Sequence, residues 1–180
     1  MSRSISRRRF VGGSSAAIGA LLFGTRLNAQ TLPGRVKVGV LVALSGAAGA
    51  FGRSGVNAWQ QAVENLNAAG GLWGGGKGLV DLEVLDDKTT PASAVEAVGR
   101  LASDKAIPVI VSLVAVPSTL QASVEAERSQ LPFVNTGSVE PTLNTRGLAY
   151  VFSTCPTIRT FVASQLQGTR KVFEQAKIRP

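Results

Sequence analysis

Histidine is absent from this chain of 180 residues, and cysteine occurs once, at Cys155. Without an imidazole, histidine-based catalytic triads and histidine-ligated metal sites are excluded. A single cysteine cannot form an internal disulfide, so packing must supply stability even in an oxidising compartment. Cys155 also lies far from the N-terminus, which excludes a lipid anchor at the end of a leader segment. Aromatic residues are only 6% of the chain, whereas Gly and Ala are abundant. That balance suits helices lying close on a sheet. No cluster of metal-ligating residues occurs, and no nucleophile stands beside a base. Enzyme function, cofactor and metal are therefore not expected.

Acidic residues are missing from the first part of the chain. Five of the 19 basic residues (Arg3, Arg7, Arg8, Arg9 and Arg26) precede Gln30 and none of the 11 acids does, which leaves 14 against 11 in the remainder. The net charge of +8 is thus mostly a property of the N-terminus. No basic stripe with interleaved aromatics follows, so a nucleic-acid partner is not expected. Arg7-Arg8-Arg9-Phe10, the mildly apolar stretch Val11 to Phe23 and the small-residue end Leu27-Asn28-Ala29 follow the three-part plan of an export signal. The stretch is too short and too rich in Gly and Ser to span a membrane. It resembles a twin-arginine signal, with an ordinary secretory signal as the alternative. Residues 1–29 read as this signal, cleaved near Ala29, and the location expected is periplasmic.

From Gln30 onward, strand and helix patterns alternate. Val36 to Val42 is a short Val-rich run, as in a buried parallel strand. A Gly-rich loop, Ser45 to Gly52, precedes a helical pattern at Val56, Trp59, Ala62, Val63 and Leu66, which Gly70-Gly71 should stop. Leu79 to Leu85 reads as a strand ending on Asp86-Asp87. Thr90-Pro91 opens a helix facing inward through Val95, Val98 and Leu101. Pro108 to Val114 is a third strand, and Ser118 starts a third helix with Leu120 and Val124 inward. Leu131 to Asn135 is a fourth strand, Tyr150 to Ser153 a short extended piece. Ile158, Phe161, Val162, Leu166, Val172 and Phe173 mark a final amphipathic helix. The expected fold class is α/β, a doubly wound parallel sheet. In such sheets ligands bind outside the carboxyl ends of the strands, which selects the loops after each strand.

Two glycine motifs bear on phosphate binding. Gly71 to Gly78 mimics a P-loop up to Lys77, but Gly78 stands where Ser or Thr is required, and the stretch follows a helix; it reads as a turn. Gly46, Gly49 and Gly52 follow a strand and open a helix. Their spacing is not that of a dinucleotide fingerprint, and the acid ending the next strand is too distant. An exported NAD(P)-dependent oxidoreductase is the alternative that this context leaves open.

The order of segments resembles the leucine/isoleucine/valine-binding family of periplasmic receptors, the type I periplasmic binding proteins of ABC transporters. "VKVGVLVALSGAAGAFG", "AVENLNAAGGLWGG", "LEVLDDKTTPASAVEAV" and "LPFVNTGSVEPTLNTRGLAYVFSTCPT" carry the resemblance, from Val36 to about Ile158. It implies a ligand-binding lobe at 30–153, then a hinge and the first helix of a second lobe at 154–180, so the fold is the first lobe, incomplete. On this comparison residues 30–180 alone should bind solute weakly or not at all. It also implies capture of an amino acid or related small carboxylate or amide, with a permease in the inner membrane as partner. A ligand sensor built on the same lobe is a further alternative. The ligand-binding candidates are Ser45, Phe51, Val116, Ser118, Thr119, Thr136, Gly137 and Ser138. Family receptors of free amino acids place hydroxyls where this chain has Val116 and Val139, which disfavours leucine, isoleucine and valine. Asp86 and Asp87 read as structural carboxylates bonding loop amides.

Overall fold

The computed structural model describes residues 33–177. The export-signal segment and the proposed cleavage point at Ala29 lie outside them. The strands are β1 (Arg35–Val42), β2 (Leu79–Asp86), β3 (Ile110–Leu113), β4 (Phe133–Asn135) and β5 (Val151–Ser153). They form one sheet in the order β2-β1-β3-β4-β5, with every neighbouring pair parallel. The helices are α1 (Gly49–Ala68), α2 (Pro91–Ser103), α3 (Val116–Arg128) and α4 (Ile158–Gln175). A 3₁₀ turn at Pro141–Asn144 precedes β5.

Successive strand residues face opposite sides of the sheet. Leu41, Ile110 and Phe133 pack with Ala94, Val98 and Leu101 of α2 and with Ala122 and Ala126 of α3. Val40 and Val42 pack instead with Val56 of α1, flanked by half-buried Trp59, Val84 and Leu113. The helices therefore lie on both faces, as doubly wound connectivity requires.

The helix ends follow from local chemistry. Thr90 accepts a hydrogen bond from the Ser93 amide and Pro91 fills the first helical position of α2, where its missing N–H costs nothing. At the end of α1, Gly70 and Gly71 have φ of 103° and 82°. Their amides donate to the carbonyls of Asn67 and Leu66, the paired bonds of a Schellman stop. Asn67 adds something the sequence did not announce. Its side chain accepts from the Val80 amide (2.8 Å) and donates to the Val80 carbonyl (2.9 Å), completing backbone hydrogen bonds on the edge strand β2.

Several expectations change. The third helix starts at Val116, not Ser118, with Pro117 in its first turn. Its buried face is Ser118, Thr119, Ala122, Ser123 and Ala126, while Leu120 is half-buried and Val124 is 49% exposed. Small side chains line the contact because α2 and α3 lie against each other, and their backbones approach closely. On α2, Ala94 and Ala97 are buried and Val95 only partly so, for the same reason. On α1, Ala62 is exposed. The final helix forms as expected, yet none of its residues is buried.

The P-loop mimic is a closed turn. The amides of Leu72, Trp73, Gly74, Gly76, Lys77 and Gly78 all donate to nearby carbonyls, which leaves them unavailable to a phosphate.

Candidate functional site

The loops leaving the carboxyl ends of the strands divide into a closed knot and an open hollow. The knot lies beyond β1 and β2. Asp86, the last residue of β2, accepts from the amides of Leu44 (2.8 Å), Ser45 (3.3 Å) and Lys88 (2.8 Å) and from the Ser45 hydroxyl (2.6 Å). Partial burial alone would raise its pKa. The Ser45 hydroxyl and the Lys88, Leu44 and Ser45 amides outweigh that and hold the carboxyl below the usual carboxylate range. Thr89 Oγ1 donates to the Ser45 carbonyl at 2.8 Å. Buried Asp87 accepts from the Thr89 amide at 2.9 Å. Both aspartates thus bond loop amides. Ser45 spends its hydroxyl on Asp86, and Asp86 is not free to take a ribose hydroxyl, which weakens the dinucleotide alternative.

The hollow lies beyond β3 and β4. Its wall is α1, seated so closely that a Cβ on Gly52 would lie 1.8 Å from the Ala43 carbonyl oxygen. That seat puts Phe51 in the first turn of α1, not in a loop, with its side chain 66% exposed at the mouth. The floor is Leu113, clasped between Gly55 and Gly137; a Cβ on either would come within 2.4 Å of its side chain. Opposite stands the start of α3. Ala115 is its N-cap and supplies no side-chain hydrogen bond. Thr119 Oγ1 turns back to the carbonyls of Ala115 (3.0 Å) and Val114 (3.3 Å).

Asn135 shapes the remaining side. It is fully buried at the end of β4, and its oxygen accepts from the amides of Ser138 (2.8 Å) and Gly137 (3.2 Å). Its nitrogen lies 2.6 Å from both the Ser138 carbonyl and the Ser153 hydroxyl. One side chain therefore folds the loop after β4 and ties it to β5. Thr136 Oγ1 donates to the Ser112 carbonyl at 2.7 Å.

The resulting cavity has a volume of about 210 Å³ and its lining includes Phe51, Leu113, Val116, Gly137, Ser138 and Val139, together with Ala48, Val114 and Ala115. Four of the eight candidates, Phe51, Val116, Gly137 and Ser138, meet here. Ser118 and Thr119 are buried within α3, and the hydroxyls of Ser45 and Thr136 are bonded elsewhere. Val139, Leu113 and Asn135 were not among the candidates. A polar residue closing an apolar strand was the available signal for Asn135. The two apolar residues carried none. A larger groove of about 520 Å³ runs between the first turns of α2 and α3. Its lining (Pro91, Ala92, Val95, Pro117, Leu120 and Gln121) lacks the convergent polar groups of a ligand site.

Known proteins share this architecture. The chain is 35% identical over 121 residues to an amino acid binding protein of Pseudomonas aeruginosa, covering 67% of this chain and 31% of that protein. It is 32% identical over 120 residues to a Leu/Ile/Val-binding protein homolog of Brucella melitensis, covering 67% and 32%. The crystal structure of a leucine binding protein from Thermotoga maritima superposes with a TM-score of 0.59 at 28% identity, over 68% of this chain and 33% of that one. The chain thus spans about a third of the length of the relatives it matches. Residues 35–175 match the model of the periplasmic binding protein family. That match takes in every strand and helix described above, and the chain belongs to this family of periplasmic binding proteins.

Proposed function

We propose that this chain supplies the ligand-capturing lobe of a solute-binding protein that serves an ABC permease in the inner membrane. Its solute is an amino acid or a related small carboxylate or amide. One observation carries the reading: the uncapped start of α3 and the loop after β4 converge on a single hollow at the carboxyl ends of the strands. Unpaired first-turn amides and the helix dipole make such a place receptive to a carboxylate. The relatives, named for amino acids, support the same solute class. Residues 30–153 act as the lobe, and 154–180 as the hinge and the first helix of a second lobe. Closure about the hinge would be driven by contacts made only in the closed state.

Export precedes this role, through the basic N-terminal segment. Replacing Arg7 and Arg8 by Lys should block it, with the protein retained in the cytoplasm; unimpaired export would exclude the twin-arginine route.

Binding is tested by NMR amide shifts of the 180-residue chain titrated with small carboxylates, amino acids and, separately, NADPH. Saturable shifts at Val116, Ser138 and Val139 with a carboxylate or amino acid are expected. Shifts with NADPH alone would replace the reading with a dinucleotide-binding one, and saturable carboxylate shifts confined to other amides would remove the hollow as the capture site.

A further inference from the structure

We infer that Asn135 is a positioning residue that joins the loop after β4 and the crossing out of the lobe into one hydrogen-bonded unit, so that the two move together. The inference rests on solute capture at the hollow and on 154–180 as the hinge and first helix of a second lobe.

Three residues of the crossing hold three carbonyls at the end of β4 and in the loop. The Asn135 carbonyl accepts from the Thr154 amide (3.0 Å) and hydroxyl (3.3 Å), the Ser138 carbonyl from Cys155 Sγ (3.0 Å), and the Val139 carbonyl from the Ile158 amide (2.7 Å). Ser138 and Val139 line the hollow, and Ile158 is the first residue of α4. Among the described residues, the Ile158 amide makes the one hydrogen bond from α4 to a residue before Thr157, and no α4 residue is buried. The helix that opens the second lobe therefore hangs on the loop that lines the site.

Asn135 gives that loop its shape. A side-chain amide offers two N–H donors and an oxygen that accepts twice, and here all four are used. The oxygen takes the amides of Gly137 and Ser138, one N–H goes to the Ser138 carbonyl, and the other goes to Ser153 Oγ in β5. The first three bonds close the loop on itself, and the fourth reaches 18 residues along the chain to the crossing. Aspartate lacks the donors and leucine lacks both kinds of group. Because Asn135 is fully buried, a bond broken here leaves a polar group without water to replace its partner. Thr136 ties the loop elsewhere: its amide (2.9 Å) and hydroxyl (2.7 Å) both donate to the Ser112 carbonyl of β3. A solute that displaces Ser138 or Val139 thus displaces the start of α4, and by linkage the position of the second lobe bears equally on affinity at the hollow.

The test uses the 180-residue chain without solute, so it is separate from the titration on which solute capture depends. Ser153→Ala removes only the crossing's end of the Asn135 tie. Native-state hydrogen exchange should then quicken about fivefold at the Gly137, Ser138 and Ile158 amides, while the amides of α2 keep their rates. From the loop side, Asn135→Ala should speed labelling of Cys155, the sole thiol, by Ellman's reagent about tenfold. Thr136→Val, which loosens the loop from β3 alone, should change neither the Ile158 amide nor the thiol. Unaltered exchange at Gly137 and Ser138 in Ser153→Ala would overturn the inference. So would an acceleration shared equally by α2, which is the mark of a general loss of stability. An effect of Thr136→Val on Cys155 equal to that of Asn135→Ala would overturn it as well, because the crossing would then answer to any loosening of the loop and not to Asn135.

Discussion

Among the described residues, twelve buried residues form one continuous cluster on the face packed by α2 and α3, but only three on the face packed by α1. The strands do not cause this difference. Val84, Val40, Val111, Val134 and Phe152 stand in one cross-strand row on the α1 face, as apolar as its counterpart. The order of the strands causes it. The connection from β1 to β2 moves toward one edge of the sheet, whereas those from β2 to β3 and β3 to β4 move the other way. Crossovers of one hand then place α1 alone on its face, over β1 and β2. Val134 remains half-buried and Phe152 is 53% exposed. The α1 side compensates by different means: the glycine seat at Gly52 and Gly55, and the Asp86 knot.

The contrast can be broken or sharpened by substitution. The largest effect belongs to the α2/α3 face. Phe133→Ala removes the largest fully buried side chain and should cost about 3–5 kcal/mol in urea-induced unfolding. A loss below about 1 kcal/mol would mean that this cluster is not the stabilising core. On the α1 side, Gly52→Ala should cost about 1–3 kcal/mol, because backbone rather than a yielding side chain meets the new Cβ. It should also displace Phe51 and weaken solute binding in the same titration.

Asp86 should give a pH signature. Its folded pKa is depressed, so its stabilisation is fully present above the unfolded-state value and is lost as pH falls through the folded one. Stability measured from neutral into acid should therefore decline, and Asp86→Asn, at a cost of about 1 kcal/mol at neutral pH, should flatten part of that decline. An unchanged acid profile would mean the knot contributes nothing. The smallest effect is expected at Phe152→Ser, within about 0.5 kcal/mol, since the side chain already faces water. A loss as large as that of Phe133→Ala would show that the α1 face is covered in solution.

Chain-local signals were legible wherever chemistry acts over a few residues. Thr90-Pro91 and Gly70-Gly71 marked helix ends because caps use neighbouring backbone groups. The Val-rich runs marked strands because alternation is local. The inner face of α3 was not legible. Ser118, Thr119 and Ser123 read as polar, and only contact with α2 explains why hydroxyls and alanines are buried there in place of Leu120 and Val124. The candidate site was half legible. Loop position identified Phe51, Val116, Gly137 and Ser138, whereas Ser45 and Thr136 were claimed by partners 41 and 24 residues away.

By itself the sequence determined the alternating order of strands and helices, the absence of histidine chemistry and the loops from which a site could be built. Periodicity, capping and composition are properties of neighbouring residues. Which hydroxyls stay unpaired and which face of the sheet is thinly covered were decided only when distant segments met. A hydrogen bond is settled by geometry, and for Asp86, Asn135 and Ser138 the chain sets that geometry through its tertiary packing.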